Sequence, residues 1–231
     1  MKIHFEIDAD SRDFVLENHW DTAVPVSYES YGDGTLYVTC YPDVEQAVRS
    51  VMEMYAEDPF SDEALAALWE AVDPFFAEHH YRTDRFRDRW GHILRLRAED
   101  LDGSLVQDTT RLLTAEDEDS NRTTYDLATS IESDYVAYGT VADGQVVSAS
   151  VTNGPVDGPS GLIEVGLETA PAYRRRGYAL SNLAALSGEL IRRGYTPEYR
   201  CQRYNDASLR AALRVGYKQI GKFYDYVGRR D

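Results

Sequence analysis

Residues 174–179, Arg-Arg-Arg-Gly-Tyr-Ala, lie between a β-type run and a long amphipathic run. Gly177 and the small Ala179 allow the backbone to come close to a ligand. The first N–H groups of a following helix, with the positive end of its dipole, form an anion site. The segment is therefore predicted to be a strand-to-helix turn that binds an anion of about the size of a pyrophosphate.

The helix that must follow this turn is predicted from one apolar stripe. Its members recur at spacings of three and four residues: Leu180, Leu183, Leu186, Leu190 and Ile191. Arg192 and Arg193 suit the negative C-terminal end, and Gly194 suits the position after it. The segment Glu198–Arg203 then alternates like a short strand.

A second polar segment, Asn205-Asp-Ala-Ser208, begins another predicted helix, which Gly216-Tyr217 closes. Together, Arg174-x-x-Gly177-x-Ala179 and the later N-x-x-S resemble the two signatures of the GNAT superfamily of acyl-CoA-dependent acyltransferases. The resemblance covers about residues 162–227. It implies the GNAT fold, a mixed and mostly antiparallel sheet that is splayed at the CoA site and flanked by helices. It also implies an N-acetyltransferase that uses acetyl-CoA, with no metal.

The resemblance implies a CoA site along the splayed strand and the turn. The Leu167 N–H would polarise the thioester carbonyl, and Thr169 would pair with the pantetheine arm. Asn205 matches the family residue that bonds this arm, although asparagine also favours a helix N-cap. The full predicted set is Leu167, Thr169, Arg174, Arg175, Arg176, Gly177, Tyr178, Ala179, Asn205 and Ser208.

Acetyl transfer to an amine requires a base, because an ammonium ion has no lone pair. Glu164 and Glu168 are the candidates, since the two-residue period of a strand puts them on one side. A pair of exposed strand acids is an equally good interpretation. The usual family acid, a tyrosine, corresponds to Ala212. Direct transfer without an acyl-cysteine is expected, because Cys201 has no histidine near it in sequence.

Three functions stay open on this basis. The first is an acyltransferase that moves an acetyl group to a small-molecule or peptide amine. The second is a non-catalytic acyl-CoA-binding or sensing module, which Ala212 favours. The third is an interaction scaffold governed by the N-terminal part.

The chain has 231 residues and a formal net charge of −16. This excess of acid argues against a nucleic-acid or anionic-membrane partner and would attract a cationic acceptor. The preferred alternative is that the charge only keeps the protein soluble, because net charge governs solubility and encounter rates and not chemistry. Charge begins at Lys2, with no signal-like apolar run, so a cytoplasmic protein is expected. Cys40 and Cys201 do not have the spacing of a metal site. The adjacent His79 and His80 cannot point the same way, so they are not expected to bind a metal as a pair.

The chain is predicted to divide into an N-terminal α/β unit of unknown role, residues 1–104, and the acetyltransferase domain, residues 105–231. In the first unit, strands are expected at Lys2–Ile7, Thr35–Cys40 and His92–Arg97. Asp43 and Ser61 are expected to cap two helices, the second of which ends at Pro74. In the second unit, the strands Thr110–Thr114, Tyr135–Val141, Gln145–Thr152 and Leu162–Thr169 are expected, with a capped helix start at Thr114.

Overall fold

The computed structural model describes residues 1–83, 90–156, 158 and 161–230. These residues contain ten strands: β1 Lys2–Ile7, β2 Thr22–Tyr31, β3 Thr35–Cys40, β4 Gly91–Arg95, β5 Thr110–Leu112, β6 Ala137–Ala142, β7 Gln145–Thr152, β8 Leu162–Thr169, β9 Thr196–Gln202 and β10 Lys218–Arg229. The α-helices are α1 Ala9–Glu17, α2 Glu45–Met54, α3 Asp62–Glu78, α4 Leu127–Glu132, α5 Tyr178–Arg192 and α6 Asp206–Val215. Within the described residues, no helix is both long and apolar enough to cross a membrane.

The chain forms two compact units, Met1–His92 with Gly221–Asp231, and Ile93–Ile220. The division therefore falls before the predicted position at residue 105, and the last residues join the first unit. Because these units are defined by compactness, the assignment of the activity to residues 105–231 stays a prediction.

In the first unit, β3 lies parallel to β1 and antiparallel to β2. Strand β2 also pairs with the C-terminal part of β10, in the antiparallel direction. Helices α2 and α3 contribute Val48, Leu65 and Leu68 to its core, beside Tyr28 and Tyr224 of the sheet. Leu65 and Leu68 are three residues apart and lie on one face of α3, which is why that face packs in the core.

Two predicted boundaries in the first unit are wrong. Asp43 does not cap α2, because its carboxylate binds the guanidinium of Arg12 with two bonds of 2.9 Å. Helix α3 does not end at Pro74 but continues to Glu78, and it buries Phe75 and Phe76 in the core. Apolar burial after the proline offsets the lost backbone bond. The Ser61 cap is confirmed, since its hydroxyl accepts from Ala64 N.

The second unit contains a sheet in the order β4-β9-β8-β7-β6-β5. Strands β5 to β8 are antiparallel neighbours, whereas β8 and β9 run in parallel. Helix α5 covers one face through Leu183, Leu186 and Leu190. The other face packs Leu113 and Leu127 against β6 and β7. This arrangement is a mixed, mostly antiparallel sheet flanked by helices, as predicted.

Helix α6 ends at a glycine that the backbone requires. Gly216 has φ +116°, and a Cβ at this position would lie 1.9 Å from the Asp100 carbonyl oxygen. The loop before β5 therefore fits closely against the end of α6 only because residue 216 has no side chain.

Replacing Gly216 by alanine should lower the free energy of unfolding by about 2–4 kcal/mol, because it adds both backbone strain and a backbone clash. Urea titration followed by circular dichroism measures the change. The matched control is Gly103→Ala, at a position with nothing within 4 Å of the added Cβ. Equal stability of the two variants would contradict this account.

Candidate functional site

The site begins where β8 and β9 separate. The two strands are in register only from Leu162–Thr196 to Glu164–Glu198, and β8 continues to Thr169 without β9 beside it. On its other edge β8 stays paired with β7 as far as Thr169. The sheet is therefore open along one edge of the second half of β8.

The open edge presents backbone donors. Asn153 N donates to Glu164 O and Ala170 N donates to Val147 O, so the even-numbered residues of β8 bond to β7. Because hydrogen-bonding direction alternates along an antiparallel strand, the N–H groups of Leu167 and Thr169 point toward β9. Both lie beyond the last paired position and are available to a ligand.

The predicted anion turn adjoins this opening. Arg175 and Gly177 have φ +63° and +83°, and Gly177 precedes α5 without any side-chain cap. The first intrahelical bond is from Ser181 N to Gly177 O. Among the described residues, no acceptor is present for the backbone N–H groups of residues 175–180. Six successive donors at a helix N-terminus make a strong anion site.

A cavity of about 520 Å³ joins the strand, the turn and α6. Nine of the ten predicted cofactor residues line it: Leu167, Thr169, Arg174, Arg175, Gly177, Tyr178, Ala179, Asn205 and Ser208. Arg176 is not among the lining residues, and its guanidinium lies over the Tyr173 ring at 5.1 Å. The cavity is large enough for part of a cofactor-sized ligand.

The sequence pattern attributed Gly177 to the close approach of a ligand, but the structure gives a further reason for a glycine at this position. A Cβ at this position would lie 2.7 Å from Gln107 Nε2, and the positive φ disfavours any side chain. The glycine is therefore needed for the turn itself and for the contact with Gln107. A bulky replacement would disturb the protein as well as a ligand.

Asn205 caps α6, with its Oδ1 accepting from Ser208 N at 3.1 Å. The prediction that it serves as a helix cap is confirmed. Its side-chain amide N–H groups donate to no described residue, so they remain available in the cavity.

Tyr199, on β9, is a cavity residue that the sequence analysis missed. Its hydroxyl lies 2.7 Å from Ser208 Oγ. Burial raises the pKa of Tyr199, with a smaller opposing effect from the Ser208 hydrogen bond. The alternation of β9 indicated a strand, but only the separation from β8 makes this tyrosine line a cavity.

Ala212, at the position of the usual family acid, is fully buried. It therefore offers neither a proton nor a surface to the cavity. Cys201 is also buried, and burial raises the pKa of its thiol to about 11. A thiol of this kind stays protonated at neutral pH and is a poor nucleophile.

Glu164 and Glu168 lie on the face of β8 opposite α5, but their surroundings differ. Glu164 accepts from Asn153 Nδ2 at 2.9 Å and lies 3.6 Å from Arg200 Nε. Glu168 accepts from both the N–H and the hydroxyl of Thr124 through one oxygen, Oε2. Its other oxygen, Oε1, has no partner in the described part of the chain, and Glu168 lines the cavity.

A buried carboxylate on β9 is paired with two arginines, one from β4 and one from β9. Glu198 is 1% exposed and accepts from Arg95 Nε and Arg200 Nε, each at 2.9 Å. The two arginines compensate the buried carboxylate, as a buried charge requires. Across the described residues, no group of three or more His, Cys, Asp or Glu could hold a metal ion. In residues 79–90, charged side chains alternate and aromatic ones intervene, a pattern that favours surface salt bridges, but residues 84–89 lie outside the described part of the chain.

Comparison with known proteins supports the assignment of this site to a family. Residues 133–226 match the family model of the GNAT acetyltransferase. The matched segment contains both signatures, so this part of the chain is similar to GNAT acetyltransferases, as the signatures predict. A search of curated proteins found no match.

Solved structures of GNAT proteins are similar at low identity. A GNAT-family acetyltransferase from Colwellia psychrerythraea is 14% identical, with 59% of this chain and 56% of that chain covered and a TM-score of 0.48. A GCN5-related N-acetyltransferase from Kribbella flavida is 17% identical, with 76% of each chain covered and a TM-score of 0.47. One from Sphaerobacter thermophilus is 12% identical, with 91% and 80% covered and a TM-score of 0.44.

This chain spans only part of the length of the first solved structures that it matches. The chain covers 66% of a GNAT-family structure from Novosphingobium aromaticivorans, and 56% of the Colwellia structure.

Proposed function

We propose that this protein transfers an acetyl group from acetyl-CoA to an amine by direct attack. The observation that carries the proposal is the row of six N–H groups at residues 175–180, which have no acceptor among the described residues and lie next to the open edge of β8. A pyrophosphate on the turn would direct the pantetheine arm along Thr169 and the thioester toward Leu167. The Leu167 N–H would then stabilise the negative charge that develops on the carbonyl oxygen.

Glu168 is the base that the geometry favours over Glu164. Glu168 lines the cavity, and its Oε1 has no partner in the residues that the structure describes, whereas Glu164 binds Asn153 and Arg200. In the proposed reaction the acceptor ammonium gives a proton to Glu168, and the resulting amine attacks the thioester carbon. The new C–N bond forms as the C–S bond breaks.

Tyr199 supplies the proton that Ala212 cannot. Its hydroxyl lines the cavity beside Ser208, and burial keeps it protonated at neutral pH, because a raised pKa favours the neutral phenol. The departing CoA thiolate takes this proton, and solvent restores it to Tyr199. The second proton of the attacking nitrogen leaves to solvent. Cys201 takes no part, since its thiol is buried and protonated.

The acetyl-CoA proposal predicts a loss of affinity at Arg175. Arg175→Ala should weaken CoA binding by about 1 kcal/mol, roughly fivefold, because one charged contact is lost while the backbone donors remain. Isothermal titration with CoA measures this. The control is Arg192→Ala, at the far end of α5, where the side chain binds Glu189. Absence of CoA binding by the unchanged protein would refute the proposal.

The base is tested by removing each carboxylate without changing its size. Glu168→Gln should lower kcat by about 10²- to 10⁴-fold, whereas Glu164→Gln should cost much less. Thiol release from acetyl-CoA with amine acceptors measures the rates. Wild-type turnover and an unchanged pH profile in Glu168→Gln would exclude it as the base. CoA binding without thiol release by the wild type would favour the non-catalytic binding module.

The acid is tested by Tyr199→Phe, which should lower kcat by about 10²-fold and leave CoA affinity unchanged. Because its pKa is raised, the wild-type rate should not fall from loss of this proton at any pH below 10. The control is Tyr138→Phe, a half-buried tyrosine outside the cavity lining. An equal effect of both variants would assign Tyr199 to packing alone.

A further inference from the structure

The two faces of β8 carry different kinds of residue and therefore differ in which ligands can reach them. Val165 and Leu167 point into the apolar core under α5. Glu164, Gly166 and Glu168 alternate onto the opposite face. An acyl group held at the Leu167 N–H is therefore reached by a polar acceptor from the Gly166 face, because the other face is filled by core side chains.

Tyr125 covers this face at one point. A Cβ on Gly166 would lie 2.4 Å from the Tyr125 hydroxyl oxygen and 3.2 Å from its Cζ. The ring can lie over the strand only because residue 166 is glycine. The hydroxyl oxygen makes no hydrogen bond to any residue that the structure describes, so it can accept one from a ligand.

The charges around Tyr125 favour a positively charged ligand over a negatively charged one. Glu168 Oε1 has no partner in the described part of the chain, and Glu164 lies on the same face. The positive side chains nearby, Arg95 and Arg200, both bind Glu198. An acceptor cation thus meets an uncompensated carboxylate, whereas an acceptor anion meets arginines whose charge is already compensated.

We propose that the Gly166 face binds the acceptor as a primary ammonium ion that carries no carboxylate next to its nitrogen. The ammonium donates one hydrogen bond to Glu168 Oε1 and another to the Tyr125 hydroxyl oxygen, which places the nitrogen above the Leu167 N–H. A carboxylate on the adjacent carbon would lie against Glu164 and Glu168. This inference rests on the proposed function, because it assumes an acyl group at Leu167.

The test uses two pairs of acceptors that differ only by this carboxylate: 2-phenylethylamine with phenylalanine, and 3-methylbutylamine with leucine. Thiol release from acetyl-CoA gives kcat/KM, and CoA titration gives the dissociation constant of the cofactor. In each pair the amine should have a kcat/KM at least about tenfold higher, as expected for one unfavourable charge contact.

Tyr125→Phe keeps the ring and removes the hydroxyl, so KM for the amines should rise about tenfold with no change in CoA affinity. Gly166→Ala should act in the same direction by displacing Tyr125. Tyr135→Phe, in the same unit and away from β8, is the control and should change nothing.

The inference is overturned if the amino acids are used as well as the amines, or if none of the four compounds is acetylated by a protein that binds CoA. An unchanged KM in Tyr125→Phe also overturns it. These results leave the CoA site in place. Failure of the wild type to bind CoA would instead refute the proposed function, and this inference with it.

Discussion

The separation of β8 from β9 after Glu164 and Glu198 is the constraint on which the rest of the site depends. Strand β8 is held to β7 by its ladder, and also by Ser148 and Ser150, whose hydroxyls donate to the carbonyls of Glu168 and Gly166. Strand β9 is held to α6, where Tyr199 binds Ser208. Each strand thus has its own anchors, and the sheet can stay open without closing on itself.

This opening brings together three kinds of group that the proposed thioester reaction would use. The N–H of Leu167 faces the gap, the donors of the turn lie at one end of it, and the hydroxyl of Tyr199 lines its wall. None of these groups requires an unusual side chain at the turn, because most of the donors are backbone atoms. Such a site tolerates changes of sequence as long as the positive φ angles of Arg175 and Gly177 are kept.

Much of the second unit could be predicted from the sequence, because its patterns are local. Strands β7 and β8 begin and end as alternation and turn residues predict. Helix α5 ends at Arg192, and Gly194, which follows its cap, has φ +88°. The capping box at Thr114 is also confirmed, although the segment that follows is a 3-10 helix. In the first unit the prediction missed α1 and β2, whose apolar residues give weak periodic signals. Helix α1 buries only Val15.

The sequence by itself determined the family signatures, the anion turn and the placement of two glutamates on one strand, since each follows from neighbouring residues. Only the tertiary structure decided which glutamate has an oxygen without a partner among the described residues, that Tyr199 lines the cavity and that Tyr125 lies over Gly166. These facts depend on contacts between residues far apart in the chain, such as Thr124 with Glu168. Local periodicity carries no information about such contacts, because they are set by how the strands and loops pack in three dimensions.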